Sequence, residues 1–180
     1  MATTTELLTA EEFWELPSSR WCELIDGVVV EMSPPGGEHG RGQMRVGRVL
    51  FRAEDAGVGY VLGEIGFIVR RNPDVVRAPD VAFIRKERVP ATGIPKAFWE
   101  GAPDLVVEII SPSDRPGEMQ TKIREWIEAG ARQVWAIYPD TQTVQVVRSL
   151  QDRVTLNADD ILDGGDAVPS FSCRVAELFD

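Results

Sequence analysis

The sequence predicts an α/β or α+β fold in which helices pack against a single β-sheet. The chain has 180 residues, 43% of them hydrophobic and 27% charged, which is typical of a soluble globular protein. Its longest apolar stretches have strand length, and the predicted elements follow in the order hairpin, helix, several strands, helix, strands. We therefore expect one domain over residues 1–180, with a substantial hydrophobic core.

Capping and turn residues mark the first elements. The motif Thr9-Ala10-Glu11-Glu12 has capping-box spacing and predicts a short helix that ends before Pro17. Asp26-Gly27 is a strong two-residue turn signal between two apolar runs. We expect a hairpin with strands at residues 21–25 and 28–32.

Apolar periodicity predicts the middle of the chain. A helix is expected from His39 to about residue 56, followed by an extended segment at 60–70. Strands are expected at 80–85 and 104–110, and neighbouring strands often pair antiparallel. A second helix is expected at 118–129, because a glycine follows it as a C-terminal stop.

Two more β-rich runs are expected at 133–138 and 143–149, joined by a turn. Residues 159–165 contain three aspartates and two glycines, which predicts an acidic loop before a final short helix.

Charge and cysteine usage exclude some classes of protein. The net charge of −10 argues against indiscriminate coating of nucleic acid, although residues 41–96 carry 11 Lys and Arg against 6 Asp and Glu. Cys22 and Cys173 suggest neither a disulfide framework nor a zinc site. No secretory signal or membrane-length apolar run is visible, so a cytoplasmic location is expected.

Two acids mark the strands at 80–85 and 104–110. Antiparallel pairing would bring Asp80, which precedes the first strand, close to Glu108 inside the second. Neighbouring carboxylates repel unless a proton or cation lies between them. Hard oxygen ligands of this kind suit Mg²⁺ or Mn²⁺.

Lys122 lies at the edge of the apolar arc of the second long helix, where its ammonium can lean toward the strand end. Each residue also has a plainer interpretation. Asp80 can end a loop, Glu108 can pair with an arginine, and Lys122 can be an ordinary border lysine. The combination favours phosphodiester chemistry.

The helix from His39 carries two further features. His39 begins the buried stripe, and the helix dipole disfavours its protonated form, so a neutral structural histidine is the first interpretation and a site histidine the second. A basic stripe on the opposite side favours a solvated face or a subunit contact over substrate binding. The stripe consists of Arg41, Arg45, Arg48 and Arg52.

Taken in order, several short motifs resemble the Uma-two family of restriction-endonuclease-like proteins, within the PD-(D/E)XK nuclease superfamily. The matching motifs are Glu23-Leu24-Ile25-Asp26-Gly27, Met32-Ser33-Pro34-Pro35 followed by Glu38-His39, Pro79-Asp80-Val81, residues 102–108 with Ser111-Pro112, Lys122 and Ala129-Gly130. The resemblance spans nearly the whole chain.

The resemblance implies a restriction-endonuclease-like core, with a mixed central sheet flanked by helices and an N-terminal hairpin. It assigns metal binding to Asp80, Glu108 and Ile109. The superfamily lysine normally lies two residues after the second acid, a position held here by Ile110, and its role would pass to Lys122. Trp126 stands where relatives often carry a tyrosine, so any role of that hydroxyl is absent. Glu23 and His39 are secondary site candidates.

Three functions follow. The first is a Mg²⁺- or Mn²⁺-dependent nuclease that hydrolyses DNA phosphodiester bonds, with Lys122 orienting or deprotonating water; a homodimer would cut both strands together. The second is a catalytically inactive nuclease-fold module for binding or assembly, which the acidic total and Ile110 favour. The third, a glycoside hydrolase using Asp80 and Glu108, ranks last because no aromatic sugar platform is visible.

Overall fold

The protein is known from a computed structural model, which describes residues 7–112 and 114–180. Its strands, in chain order, are β1 (Cys22–Ile25), β2 (Val28–Glu31), β3 (Gly59–Gly63), β4 (Phe67–Arg70), β5 (Val75–Arg77), β6 (Val81–Arg85), β7 (Trp99–Glu100), β8 (Leu105–Ile109), β9 (Gln133–Tyr138), β10 (Thr143–Val147), β11 (Arg153–Leu156), β12 (Ile161–Asp163) and β13 (Ser172–Arg174). The α-helices are α1 (Ala10–Trp14), α2 (Gly37–Asp55) and α3 (Pro116–Glu128). Short 3₁₀ helices lie at Ser19–Trp21, Lys86–Arg88 and Val175–Leu178.

The central sheet has six strands in the order β11-β10-β9-β8-β6-β3. Among the strands described for this sheet, only β8 and β9 pair parallel, so the sheet is mixed. Strands β6 and β8 pair antiparallel, with Val81 opposite Val107. The mixed sheet and this pairing confirm two predictions made from the sequence.

The two long helices cover opposite faces of the central sheet. Helix α2 packs with Val81 and Phe83 in one buried cluster, and α3 packs with Ala82 and Ile84 in the other. The alternation arises because successive strand residues point to opposite faces. This arrangement lets both helices deliver side chains to the strand end near residue 80.

The N-terminal hairpin belongs to a second sheet of five strands, in the order β2-β1-β5-β4-β7, which is called the small sheet below. Its turn residues Asp26 and Gly27 both have positive φ angles, 52° and 75°, as a tight hairpin turn requires. Helix α1 begins with the expected capping box at Thr9 and packs Phe13 against this sheet. The hairpin and the first helix are thus confirmed.

Three expectations from the sequence were wrong. The strands within residues 7–112 and 114–180 form three sheets instead of one, because residues 67–77 join the sheet of the hairpin and β12 pairs with β13. The acidic tail is not a loop: β12 and β13 bury Leu162 and Cys173 against α2, before the expected short helix. Both long helices also begin two residues early, and Pro116 fits the first turn of α3 because its missing N–H needs no partner there.

No helix in the described ranges has the length and apolar character needed to cross a membrane.

Candidate active site

Asp80 lies just before β6 and links that strand to β8 and α2. The backbone N–H of Ile109 donates to Asp80 Oδ2 at 2.6 Å. Asp80 Oδ1 lies 2.8 Å from His39 Nε2 and accepts from Gln43 Nε2 at 3.2 Å. These contacts fix the carboxylate, which stays 18% exposed.

Glu108 lies near the C-terminal end of the buried strand β8 and contacts α3. Its Oε1 accepts from the indole N–H of Trp126 at 2.8 Å, and its Oε2 from Lys122 Nζ at 3.0 Å. Burial raises the pKa of Glu108 to about 7, a shift that Lys122 limits and Asp80 increases. A carboxylate in an apolar strand is therefore held by two donors from one helix.

The ammonium group of Lys122, on α3, is surrounded by oxygen atoms. Its Nζ lies 3.0 Å from Glu108 Oε2, 3.0 Å from the carbonyl oxygen of Ala78 and 3.4 Å from Glu23 Oε1. Burial opposes its charge, but attraction to Glu108, Glu23 and Asp80 raises the pKa of Lys122 above its ordinary value. The side chain is thus an ammonium, and it is 13% exposed.

Glu23, on β1, is buried among cations. It pairs with Arg77 at 2.6 Å and accepts from the backbone N–H of Ala78 at 3.1 Å. Burial alone would raise its pKa, but Lys122 and Arg77 outweigh that effect and lower it. Arg77 also bridges to Glu125 of α3 at 2.7 Å, which joins the small sheet to this helix.

His39 lies in the first turn of α2 and contacts Asp80. That hydrogen bond raises the pKa of His39, although partial burial opposes it. The carboxylate of Asp80 at 2.8 Å thus favours the protonated form of His39 and acts against the helix dipole, on which the expectation of a neutral histidine rested. The structure places this histidine beside the acids, and its role in the site stays a prediction.

The six residues singled out from the sequence line one cavity of about 530 Å³. These residues are Glu23, His39, Asp80, Glu108, Ile109 and Lys122. Hydrophobic side chains of the hairpin also line this cavity, among them Val30 and Met32. The cavity thus combines charged groups at the strand end with an apolar side.

Sequence reasoning missed three polar contacts of this site. Gln43 holds Asp80, Trp126 holds Glu108 and Arg77 holds Glu23. Gln43 is four residues after His39 and Trp126 four after Lys122, so helical spacing alone places both beside a candidate. In the sequence Trp126 stood out as a residue of the apolar arc and for the hydroxyl that it lacks, yet its indole N–H supplies a donor.

The residues fit a divalent cation through the chemistry of their donors. Asp80 and Glu108 offer carboxylate oxygens, and Ile109 a backbone carbonyl, all hard ligands suited to Mg²⁺ or Mn²⁺. Each carboxylate oxygen already accepts from a protein donor, but a carboxylate has about four lone-pair sites. Within the described residues, no group of three or more His, Cys, Asp or Glu side chains is placed to hold a metal.

Comparisons with known proteins agree with this architecture. A crystal structure from Anabaena variabilis, titled as that of "a putative nuclease belonging to DUF820", is 24% identical, with a TM-score of 0.82 over 96% of this chain and 97% of that one. No curated protein matches the chain. The profile of the Uma2 family, described as "Putative restriction endonuclease", matches residues 10–176. The chain therefore belongs to the Uma2 family, as the motifs of the sequence predicted.

Proposed function

We propose that this protein is a nuclease that hydrolyses DNA phosphodiester bonds and depends on Mg²⁺ or Mn²⁺. One observation carries the proposal: two carboxylates and an ammonium, from three different elements, line a single cavity at one end of the central sheet. Membership of the Uma2 family supports the same reaction class.

The metal-binding residues in this proposal are Asp80, Glu108 and Ile109, the last through its carbonyl oxygen. A bound divalent ion would supply a Lewis acid that polarises the phosphate and lowers the pKa of a bound water. The contacts that hold Asp80 to Ile109 and Glu108 to Trp126 keep the two carboxylates oriented toward the cavity.

Lys122 serves as the catalytic cation. Three oxygens surround its ammonium and favour the charged form, so it suits orienting water and offsetting charge on the phosphate better than abstracting a proton. Glu23 and His39 are positioning residues. Glu23 pairs with Lys122 at 3.4 Å and helps to fix it, and His39 fixes one oxygen of Asp80.

The test is cleavage of plasmid, linear and single-stranded DNA with Mg²⁺ or Mn²⁺, and with EDTA in place of the metal. We expect the parent protein to cut at least one substrate only with metal. Glu108→Gln should lower the rate by at least about a hundredfold, because one of two carboxylates is neutralised. Glu128→Gln, the same change on the exposed side of α3, should cut like the parent.

Thermal melting of each variant checks that lost cleavage is not lost folding. Cleavage that survives in a folded Glu108→Gln protein would contradict the proposal, since such activity would belong to another site or a contaminant.

A second candidate is a nuclease-fold module that binds nucleic acid without cutting it. The site favours it in one respect: both oxygens of both acids already accept from protein donors, and Ile110 stands where the superfamily lysine belongs. Binding without turnover under every metal condition would select this candidate. Homodimerisation and a cytoplasmic location stay predictions.

A further inference from the structure

The four arginines of α2 have two different environments. Arg52 pairs with Glu177, and Arg48 donates to the backbone carbonyl of Asp180 at 3.4 Å. These two arginines therefore hold the C-terminal segment against α2. Arg45 and Arg41 lie about one and two turns nearer the start of the helix than Arg48, and their environment differs. Within residues 7–112 and 114–180, neither guanidinium forms an ion pair or a hydrogen bond.

Arg41 and Arg45 line a second cavity, of about 450 Å³. His39 and Ile109 line both this cavity and the one that contains Asp80 and Glu108, so the two cavities are neighbours across these two residues. The sequence favoured a solvated face or a subunit contact for this stripe over substrate binding. Arg48 and Arg52 contact the C-terminal segment, whereas Arg41 and Arg45 lie beside the acid site because α2 begins there.

The charge of this second cavity depends on four side chains besides His39. Glu38 and Asp140 also line it, but both are exposed and neither pairs with an arginine in the described structure. Exposed acids are screened by water and contribute little to a neighbouring cation. The two guanidiniums thus keep free donors with the planar geometry that phosphate accepts.

We infer that Arg41 and Arg45 form a phosphate-binding subsite for a nucleic-acid strand that runs past the acid site, on the far side of His39. The inference rests on the proposed function, and it identifies two residues that would hold the substrate strand. In a polymer, phosphates repeat along the strand, so a phosphate neighbouring the scissile one can occupy the second cavity. Such contacts fix register and carry little sequence information.

The test is binding without cleavage. Fluorescein-labelled single-stranded and duplex oligonucleotides are titrated with protein in EDTA over a series of salt concentrations, and bound fractions are read by anisotropy. The variants are Arg41→Gln, Arg45→Gln and the double change. Arg124→Gln is the matched control, because this exposed arginine on α3 lines neither cavity.

We expect the double variant to bind about tenfold more weakly, with a salt dependence of log K that is shallower by about 1.5. Arg124→Gln should keep the parent affinity and slope. Parent-like binding by the folded double variant would overturn the inference. Titration of inorganic phosphate separates a small-ligand site from a strand site: arginine-dependent binding of phosphate with arginine-independent binding of oligonucleotide would also overturn it.

The result is independent of turnover. If no DNA is cut but oligonucleotide binding needs both arginines, the nuclease proposal fails and this subsite stands. If DNA is cut and oligonucleotide binding does not depend on the arginines, the nuclease proposal stands and this subsite fails.

Discussion

Asp74 ties the N-terminal helix to the small sheet. Its Oδ2 accepts from the backbone N–H of Ala10 at 2.8 Å and from Arg71 at 2.9 Å, while Oδ1 accepts from the N–H of Asn72 at 3.2 Å. Burial of this side chain, which is 8% exposed, would raise its pKa, but the three donors outweigh that effect and lower it. The ionised form therefore stabilises the fold.

We predict that Asp74→Asn lowers the free energy of unfolding by about 2 kcal/mol at neutral pH, since it removes hydrogen bonds to a charged group. The loss should depend on pH. Because the folded pKa lies below the unfolded one, the contribution of Asp74 is complete above the ordinary aspartate pKa near 3.8 and disappears as pH falls through the lower, folded value. Urea unfolding of parent and variant over a pH series measures the difference.

Asp152→Asn is the control, because that aspartate is 55% exposed and its partner Arg148 is 3.5 Å away. It should change stability by less than about 0.5 kcal/mol. A constant difference between parent and Asp74→Asn down to strongly acidic pH would contradict the assignment. Arg71 also contacts Glu11 and Glu100, so its charge stays paired in the variant.

Single residues of the site were predictable to the extent that strand pairing and helical spacing constrain them. The antiparallel register that places Val81 opposite Val107 also places Asp80 beside Glu108, and this follows from two adjacent strands. The contacts of Trp126 and Gln43 were not foreseen, because an apolar-arc residue and a neutral amide carry no charge signal. Their roles depend on the rotation of each helix on the sheet.

Helix α3 carries Lys122 and Trp126, so its end affects the site. Gly130 follows the helix with a φ of 101°, a conformation that L residues rarely adopt, and a Cβ added there would meet no atom within 4 Å. Backbone conformation alone therefore explains the glycine.

We predict that Gly130→Ala lowers the free energy of unfolding by about 1–2 kcal/mol, because alanine is strained at this φ. Gly117→Ala is the matched change in the first turn of the same helix. It meets no atom within 4 Å and has an ordinary φ, so it should be neutral or stabilise by up to about 1 kcal/mol. Chemical unfolding followed by circular dichroism compares the two variants, and equal effects would refute the conformational explanation.

Elements with strong local signals were predicted, and short ones were not. The hairpin turn, the capping box at Thr9 and both long helices have residues that specify them locally. Strands β7, β12 and β13 have two or three residues, too few for a period of two to be visible. They are strands because partners distant in sequence supply their hydrogen bonds.

At the scale of the whole molecule, one packed layer joins the small sheet to the central sheet. Phe67 of β4 is fully buried and meets Trp126 of α3 edge to face, with ring centroids 5.9 Å apart. Both rings share a cluster with Ala82 and Val106 of the central sheet. The two sheets therefore share one buried cluster, and a single domain over residues 1–180 stays a prediction.

We predict a single cooperative unfolding transition for residues 1–180, with coincident midpoints by tryptophan fluorescence and far-ultraviolet circular dichroism. Phe67→Ala should lower the free energy of unfolding by about 3–5 kcal/mol and keep the transition single, because the cavity opens in a core that both sheets share. Phe51→Ala, at a side chain on α2 that is 47% exposed, should cost less than about 1 kcal/mol. Two separate transitions in the parent protein, with Phe67→Ala shifting only one of them, would show instead that the sheets unfold as independent domains.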